Sequence, residues 1–165
     1  MTGGHNTRVS LAALIATRPG HQVRLIYRTH RGGRRDGRRK GFDETDYARF
    51  LDAAHQQLGG PLVVVWDNLN THTSAAMSEL IAARDWLTVY RLPSYAHELN
   101  PVEGIWSVLK RSLANLAERN LTELTALVKT RLKRMQYLPG LLDGFLASTG
   151  LDLTPFRDPG LKPEL

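Results

Sequence analysis

One stretch of this chain decides its fold: LVVVWDN, residues 62–68. Its continuous apolar run is typical of a strand that is buried on both faces in the middle of a sheet. An acidic residue, Asp67, stands at the carboxyl end of this predicted strand. In open α/β sheets ligands bind at that end, because the strand backbone stops there and the next loop opens a crevice. Asp67 is therefore the first candidate site residue.

The segments around this strand predict a mixed α/β fold. Residues 7–16 and 22–28 are two β-rich runs separated by a Pro-Gly turn, and we expect them to form an antiparallel hairpin. Residues 43–58 have the spacing of a helix, with an acidic N-cap and a Gly-Gly stop. Residues 73–84 then predict another helix, and residues 87–92 another strand. This alternation implies a mixed sheet flanked by helices.

A second acid, Glu103, lies at the start of a further predicted helix. Asn100 suits the N-cap, Pro101 the first helical position and Glu103 the third. Glu103 then has a purely structural interpretation, a capping box with the Asn100 N–H that contributes about 1 kcal/mol. Alternatively, the apolar stripe of the helix anchors it and leaves Glu103, Ser107 and Lys110 on a polar flank that faces a crevice.

The neighbours of Asp67 bear on the same choice between structure and function. An acid after a buried strand often does no more than cap the following turn. Asn68 places an amide beside Asp67, and His72 lies five residues on, close enough to orient a carboxylate or to touch a phosphate. His72 taken alone is more often a surface histidine than a ligand.

Composition narrows the class of protein. The 165 residues suit one domain, and 42% hydrophobic with 23% charged residues is typical of a globular protein. There is no cysteine, so disulfides and thiolate metal sites are excluded, and a metal would need oxygen or imidazole ligands. No apolar run approaches the ~20 residues of a membrane span, and the N-terminus does not resemble a signal peptide. We therefore expect a cytoplasmic protein with no membrane partner.

The formal net charge of +6 is unevenly distributed. A Gly-rich basic segment, residues 31–40, predicts a mobile loop that either is simply solvated or contacts nucleic acid. A second basic group, Lys129, Arg131, Lys133 and Arg134, lies on a predicted helix, and a solvated helix face is the preferred interpretation there.

Three motifs carry a family resemblance: VVWDNLNTH at residues 64–72, LPSYA at 92–96 and LNPVEGIW at 99–106. In this order they resemble the catalytic core of bacterial insertion-sequence DDE transposases of the mariner superfamily, from about residue 8 to about residue 151. The resemblance implies an RNase H-like fold in which three carboxylates hold two divalent ions, Mg²⁺ or Mn²⁺. It implies catalytic and metal-binding roles for Asp67 and Glu103, with Asn68, His72 and Asn100 in support.

The first acid of the family pattern has no convincing equivalent in this sequence. The family carries it on the opening strand of the sheet, whereas the predicted hairpin matches the second and third strands. We therefore expect residues 1–151 to form a partial RNase H-like domain that lacks the opening strand, with an irregular tail at 152–165. A chain of this kind is expected to cleave DNA weakly or not at all unless the upstream segment is supplied.

The resemblance also implies partners, namely DNA at transposon ends and target sites, in association with the nucleoid. A homo-oligomer or a complementing N-terminal fragment fits the same pattern. Contacts to DNA are expected from Arg31, Arg34, Arg35, Arg38, Arg39, Lys40, Lys110 and Arg111.

Two other functions remain open at this point. One is a non-catalytic DNA-binding or self-associating remnant of a transposase. The other is a small α/β hydrolase with Asp67 as nucleophile, but no second Asp lies two positions away, as aspartyl-phosphate enzymes would need.

Overall fold

The computed structural model of the protein describes residues 8–32, 41–114 and 120–150. They fall into two compact units, which are described separately: unit 1 takes its described residues from 1–12 and 28–100, and unit 2 from 13–27 and 101–165. No helix in the described part of the chain combines the length and the apolar character needed to cross a membrane. The elements are β1 Arg8–Ala16, β2 Arg24–Gly32, α1 Glu44–Leu58, β3 Leu62–Trp66, α2 Asn70–Thr73, α3 Ala75–Ala82, β4 Leu87–Arg91, a 3₁₀ helix His97–Leu99, α4 Val102–Leu113, α5 Leu121–Gln136 and α6 Pro139–Ser148.

The predicted hairpin is present, and its two strands contribute to both units. β1 and β2 pair with each other, and the connection at residues 17–23 is too short for a parallel crossover. β2 begins and ends later than its apolar alternation predicted. Arg31 therefore lies in β2 rather than in the basic loop. The rest of that loop, from Arg34 to Lys40, falls outside the described residues.

Helix α1 has the limits that the sequence predicted. The side chain of Asp43 accepts a hydrogen bond from the backbone N–H of Asp46 at 2.8 Å, and the Asp46 carboxylate accepts one from the Asp43 N–H at 3.3 Å. This capping box satisfies two donors at the helix start. Gly59 ends the helix in the left-handed region with φ 67°, which glycine adopts without steric cost.

Strand β3 pairs in parallel with β4, in a register that runs from Leu62 opposite Leu87 to Trp66 opposite Arg91. The prediction that β3 is buried on both faces is wrong. Val64 and Trp66 are buried, whereas Val63 and Val65 are 69% and 55% exposed. The reason is that one face of this small sheet remains uncovered, since alternate residues of a strand point to opposite faces.

The described strands form two separate two-stranded sheets, β1 with β2 and β3 with β4. The mixed α/β class is confirmed, but the expected single sheet is not seen in this part of the chain. β3 has β4 as its only described neighbour, so one edge of β3 carries backbone N–H and C=O groups without strand partners.

The helices differ from the predictions in two places. The helix expected at residues 73–84 is divided into α2 and α3, because Ser74 is extended and its hydroxyl caps α3 by accepting the Met77 N–H at 3.1 Å. Helix α6 was not predicted, and the expected irregular tail at 152–165 lies beyond the described residues.

Unit 2 is built from helices α4, α5 and α6 and from the tip of the hairpin. Two hydrogen bonds join the hairpin to α5: the Tyr27 hydroxyl donates to the Lys129 carbonyl at 3.3 Å, and the Gln136 side chain donates to the Leu25 carbonyl at 2.7 Å. The buried apolar residues of this unit are Val23, Leu25, Ile26, Ile105, Leu109, Val128, Leu132, Met135, Leu142 and Leu146.

Helices α4 and α6 approach each other closely at Gly104, the residue after Glu103. A Cβ placed on Gly104 would lie within 3.0 Å of three ring carbons of Phe145. A Cβ on Gly144, in the middle of α6, would meet nothing within 4 Å. The packing of α4 therefore requires glycine at position 104.

Gly104→Ala is expected to lower the free energy of unfolding by about 1–3 kcal/mol through overpacking against Phe145. The matched control, Gly144→Ala, should leave stability unchanged or raise it by up to about 1 kcal/mol, because alanine favours the helix. Urea unfolding of the two variants measures both values. Equal stability of the two variants would show that the α4–α6 contact is looser than described.

In unit 1, one bidentate ion pair joins α1 to the residues after α3. Arg84 donates from Nε to Asp52 Oδ1 at 2.7 Å and from a terminal nitrogen to Oδ2 at 2.9 Å. These hydrogen bonds, together with the Arg84 charge, hold the pKa of the Asp52 carboxyl below its ordinary value of 3.8. Asp52 is 40% exposed, so solvent screening limits the pair to about 1 kcal/mol.

Because the pKa of Asp52 is lowered in the folded state, the pair stabilises the fold above about pH 4, and this stability is lost as the pH falls through the lowered pKa. Arg84→Met should therefore lower the unfolding temperature by about 2–4 °C at pH 7. The difference from the wild type should shrink as the pH falls below 3.8 through the lowered pKa of Asp52, because the wild-type carboxyl then also takes up a proton. Thermal unfolding between pH 2.5 and 7 measures this, with Arg49→Met on the exposed side of α1 as control. An unchanged difference at pH 2.5 would contradict it.

Candidate active site

Asp67 lies where the sequence placed it, directly after β3. The ladder continues one residue beyond the strand pair, because the Leu92 N–H donates to the Trp66 carbonyl at 2.8 Å. The side-chain amide of Asn68 donates in turn to the Leu92 carbonyl. Asn68 therefore uses its amide nitrogen to join the ends of β3 and β4. This fixes the backbone from which the Asp67 side chain extends.

The two carboxylate oxygens of Asp67 have different surroundings. Oδ1 lies 2.9 Å from His72 Nδ1 and also accepts the Leu69 N–H at 3.3 Å. Oδ2 has no hydrogen-bond partner within the described ranges. The Asp67 side chain is 46% exposed, whereas that of His72 is 11% exposed. The structure thus confirms that His72 reaches Asp67, and it leaves one oxygen of Asp67 available to a ligand.

Two aromatic rings fix the imidazole of His72. The Trp66 indole is stacked on it, with ring centroids 4.2 Å apart and planes 6° apart. The Tyr47 ring meets it edge-on at 4.7 Å and 77°. Burial raises the pKa of Tyr47, and the negative charge of Asp67 adds to the rise. No local signal in the sequence links Tyr47 to Asp67, which lies 20 positions further along the chain.

Several polar atoms near the end of β3 are buried without a hydrogen-bond partner in the part of the chain that the structure describes. They are Trp66 Nε1, Thr71 Oγ1 and His72 Nε2. Buried polar groups in native proteins are almost always hydrogen-bonded, so each exception needs an explanation. Three exceptions within seven residues mark this end of β3 as a polar surface that the described residues do not complete.

Glu103 lies in the first turn of α4, in unit 2. The predicted capping box is wrong: α4 begins after Pro101, no side chain caps it, and the Asn100 N–H donates to the His97 carbonyl instead. Glu103 is exposed and makes no hydrogen bond or ion pair in the described ranges. The structural interpretation of Glu103 as a capping residue is therefore removed.

The structure brings Asp67, Asn68 and His72 together in unit 1. Glu103 belongs to unit 2.

Of the predicted DNA-binding residues, Arg31 is exposed on β2, and Lys110 and Arg111 are exposed in the last turn of α4. The basic side chains of α5 are also exposed, apart from the half-buried Arg131. The other predicted DNA contacts, Arg34, Arg35, Arg38, Arg39 and Lys40, lie outside the described residues.

The chemical type of the Asp67 side chain, a carboxylate, suits a hard divalent cation. A half-exposed carboxylate with one free oxygen, as in Asp67, is the type of ligand that Mg²⁺ and Mn²⁺ take in proteins. The number of such ligands is too small within the described residues, because no group of three or more His, Cys, Asp or Glu side chains there could hold a metal ion.

Comparison with known families gives the class of the protein. The model of the DDE superfamily endonuclease family matches residues 12–127, which include Asp67, Glu103 and the whole polar end of β3. The chain therefore belongs to this family. No match was found among curated proteins.

Solved structures of Mos1 transposase resemble this chain. Its catalytic domain, solved with raltegravir and manganese, is 14% identical and aligns 87% of this chain with 83% of that chain at a TM-score of 0.48. The Mos1 mariner paired-end complex with manganese is 12% identical and aligns 87% of this chain with 56% of that chain, at a TM-score of 0.50. The Mos1 paired-end complex with the left transposon end is 12% identical and aligns 86% of this chain with 55% of that chain, at a TM-score of 0.50. The two paired-end complexes show that the chain shares a transposase fold.

Proposed function

We propose that this chain is the catalytic region of an insertion-sequence transposase, a metal-dependent DDE endonuclease for DNA strand cleavage and strand transfer. The observation that carries the proposal is the Asp67 carboxylate, which stands at the carboxyl end of β3 with one oxygen hydrogen-bonded and the other free. It does so within a chain that belongs to the DDE endonuclease family. The RNase H-like arrangement of the sheet is part of the proposal.

In this proposal Asp67 and Glu103 are catalytic metal ligands, and Asn68, His72 and Asn100 support them. The ions are Mg²⁺ or Mn²⁺, two in the complete site. Two such ions stabilise the attacking and the leaving oxygen of an in-line phosphoryl transfer. The Mos1 structures, solved with Mn and with Mg, support this choice of metal. The exposure of Glu103, without a partner among the described residues, supports its role as a ligand.

We further propose that the third carboxylate comes from a strand outside the described residues, which pairs with the free edge of β3. The pairing of β3 supports this, because β4 is its only strand neighbour among the described residues and a free strand edge is normally paired or covered. The three unpartnered buried atoms of Trp66, Thr71 and His72 support it as well. The 165-residue chain is then incomplete as a nuclease.

The first test measures nicking of supercoiled plasmid DNA in Mn²⁺. We expect the 165-residue chain to nick no faster than its Asp67→Asn and Glu103→Gln variants. When the proposed N-terminal segment is supplied in cis or in trans, nicking should appear, and either substitution should reduce it by at least about 10²-fold, as for other groups that stabilise transition-state charge.

The outcomes separate the two parts of the proposal. Nicking by the 165-residue chain that Asp67→Asn abolishes would contradict incompleteness and support the endonuclease. A completed protein whose nicking ignores both substitutions would contradict the catalytic assignment.

The proposed partner is DNA at transposon ends and target sites. Lys110, Arg111 and Arg31 are exposed, as phosphate contacts must be, and the basic side chains of α5 extend the same charge. The described part of unit 2 carries far more basic than acidic side chains. The Mos1 paired-end complexes support DNA as the ligand of this fold.

The second test measures how salt weakens binding to a DNA duplex. Each phosphate contact contributes about 0.9 to the slope of log K against log salt, so the double variant Lys110→Gln/Arg111→Gln should reduce the slope by about 2. The control, Arg8→Gln/Arg49→Gln, removes the same charge from exposed positions of unit 1 and should change the slope by less than about 0.5. Equal effects of the two double variants would contradict a specific role for the end of α4.

One observation favours a second function, a non-catalytic DNA-binding or self-associating protein. The described residues include no cluster of three metal-binding side chains. This alternative predicts salt-dependent DNA binding, with no metal-dependent nicking even after the proposed N-terminal segment is supplied. Sedimentation of the chain with a full-length transposase would then show joint assemblies.

A further inference from the structure

The surroundings of Asp67 are asymmetric in a way that metal binding by itself does not require. Both described hydrogen bonds to its carboxylate end on Oδ1, from the Leu69 N–H and from His72 Nδ1. From this asymmetry we infer that His72 is a positioning residue that makes Asp67 a ligand through one oxygen, Oδ2. The inference rests on the proposed function, because it concerns the same divalent cation.

The backbone around His72 is fixed by its own hydrogen bonds. The His72 N–H donates to the Leu69 carbonyl at 2.7 Å, and the Thr73 N–H donates to the same carbonyl at 3.2 Å. The Leu69 carbonyl thus accepts both of these hydrogen bonds, and the Leu69 N–H donates one to Asp67 Oδ1. The donor and the acceptor of the Asp67–His72 pair lie on one short, hydrogen-bonded segment.

The position of the hydrogen on the imidazole follows from its neighbours. Nδ1 faces the Asp67 carboxylate at 2.9 Å and the Asp67 backbone carbonyl at 3.3 Å. Both groups only accept hydrogen bonds, so Nδ1 must carry the hydrogen. His72 therefore donates to Asp67.

The ring of His72 is held against rotation from two sides. Trp66 stacks on one face of the imidazole, and the edge of Tyr47 closes its surroundings, so the side chain is only 11% exposed. A donor on a free side chain would follow the carboxylate as it turns. A donor packed between two aromatic rings instead holds Oδ1 in one place.

A carboxylate is otherwise free to turn, because its terminal torsion has a broad energy minimum. With Oδ1 held, a cation meets Oδ2 first, and binding through both oxygens would require Oδ1 to lose at least one of its two hydrogen bonds. Binding through one oxygen suits the octahedral shells of Mg²⁺ and Mn²⁺, whereas Ca²⁺ readily takes both oxygens of a carboxylate. His72 is thus expected to favour the smaller ions over Ca²⁺.

The test titrates Mn²⁺ and Ca²⁺ into the chain supplied with the proposed N-terminal segment and into four variants of that protein, with Mn²⁺ electron paramagnetic resonance as the readout. Asp67→Asn should abolish the site. His72→Ala and His72→Gln should weaken Mn²⁺ binding by about 10–100-fold, the usual effect of removing a group that orients a metal ligand. His72→Asn places an amide donor near the position of Nδ1 and should stay within about threefold of the wild type. The preference for Mn²⁺ over Ca²⁺ should fall in the first two His72 variants and persist in His72→Asn.

The unfolding temperature without metal separates positioning from folding. If His72→Asn restores the unfolding temperature of His72→Ala but not its Mn²⁺ affinity, the inference is wrong, because His72 then acts only through packing. Wild-type affinity in His72→Ala, with loss in Asp67→Asn, overturns the inference and leaves the proposed function intact. Equal Mn²⁺ binding by the wild type and Asp67→Asn overturns both.

Discussion

The pairing of β3 with β4 is the interaction on which unit 1 depends. It aligns two short strands in parallel, so that their carboxyl ends meet and Asp67 emerges beside the end of β4. Only one face of this pair is buried, by Val64 and Trp66. A two-stranded parallel sheet with an open apolar face is an unusual arrangement, because parallel sheets normally have both faces covered. The unpaired edge and the exposed face of β3, as the described residues show them, are the structural basis of the proposal that a further strand pairs with β3.

The polar groups at the end of β3 show how local structure prepares the site. The side-chain amide of Asn68 joins the ends of β3 and β4. The neighbouring Asp67 carboxylate is hydrogen-bonded through Oδ1, and its Oδ2 has no described partner. His72 reaches Asp67 because α2 begins immediately after Leu69 and turns the chain back by one helical turn. The short helix thus has a geometric role, because it carries His72 to the Asp67 carboxylate.

Much of this could be predicted from the sequence, and the failures have physical causes. The limits of α1 followed from a capping box and a glycine, which are local signals. Burial of β3 on both faces was wrongly inferred, since an apolar run records what a strand can bury and not which neighbours are present. The predicted capping box between Glu103 and Asn100 is absent because the Asn100 N–H donates to the His97 carbonyl at 3.0 Å.

The contacts of the candidate site were likewise predictable only in part. The pairing of His72 with Asp67 was predictable from a spacing of five residues. The packing of Tyr47 against His72 was not, because the two residues are distant in sequence and meet only in the fold.

Asp67 and Glu103 differ in how far hydrogen bonds within the described residues already orient their side chains. The carboxylate of Asp67 is already oriented by two hydrogen bonds before any ligand binds. The side chain of Glu103 is exposed on a helix whose backbone is fixed by the contact of Gly104 with Phe145, but the side chain itself has no described partner. Ordering a glutamate side chain costs up to about 2 kcal/mol, partly offset at a helix start, where the helix dipole favours negative charge near the first turn. If both acids bind a cation, as proposed, the affinity should depend mainly on the orientation of Asp67, because the Glu103 side chain must still be ordered.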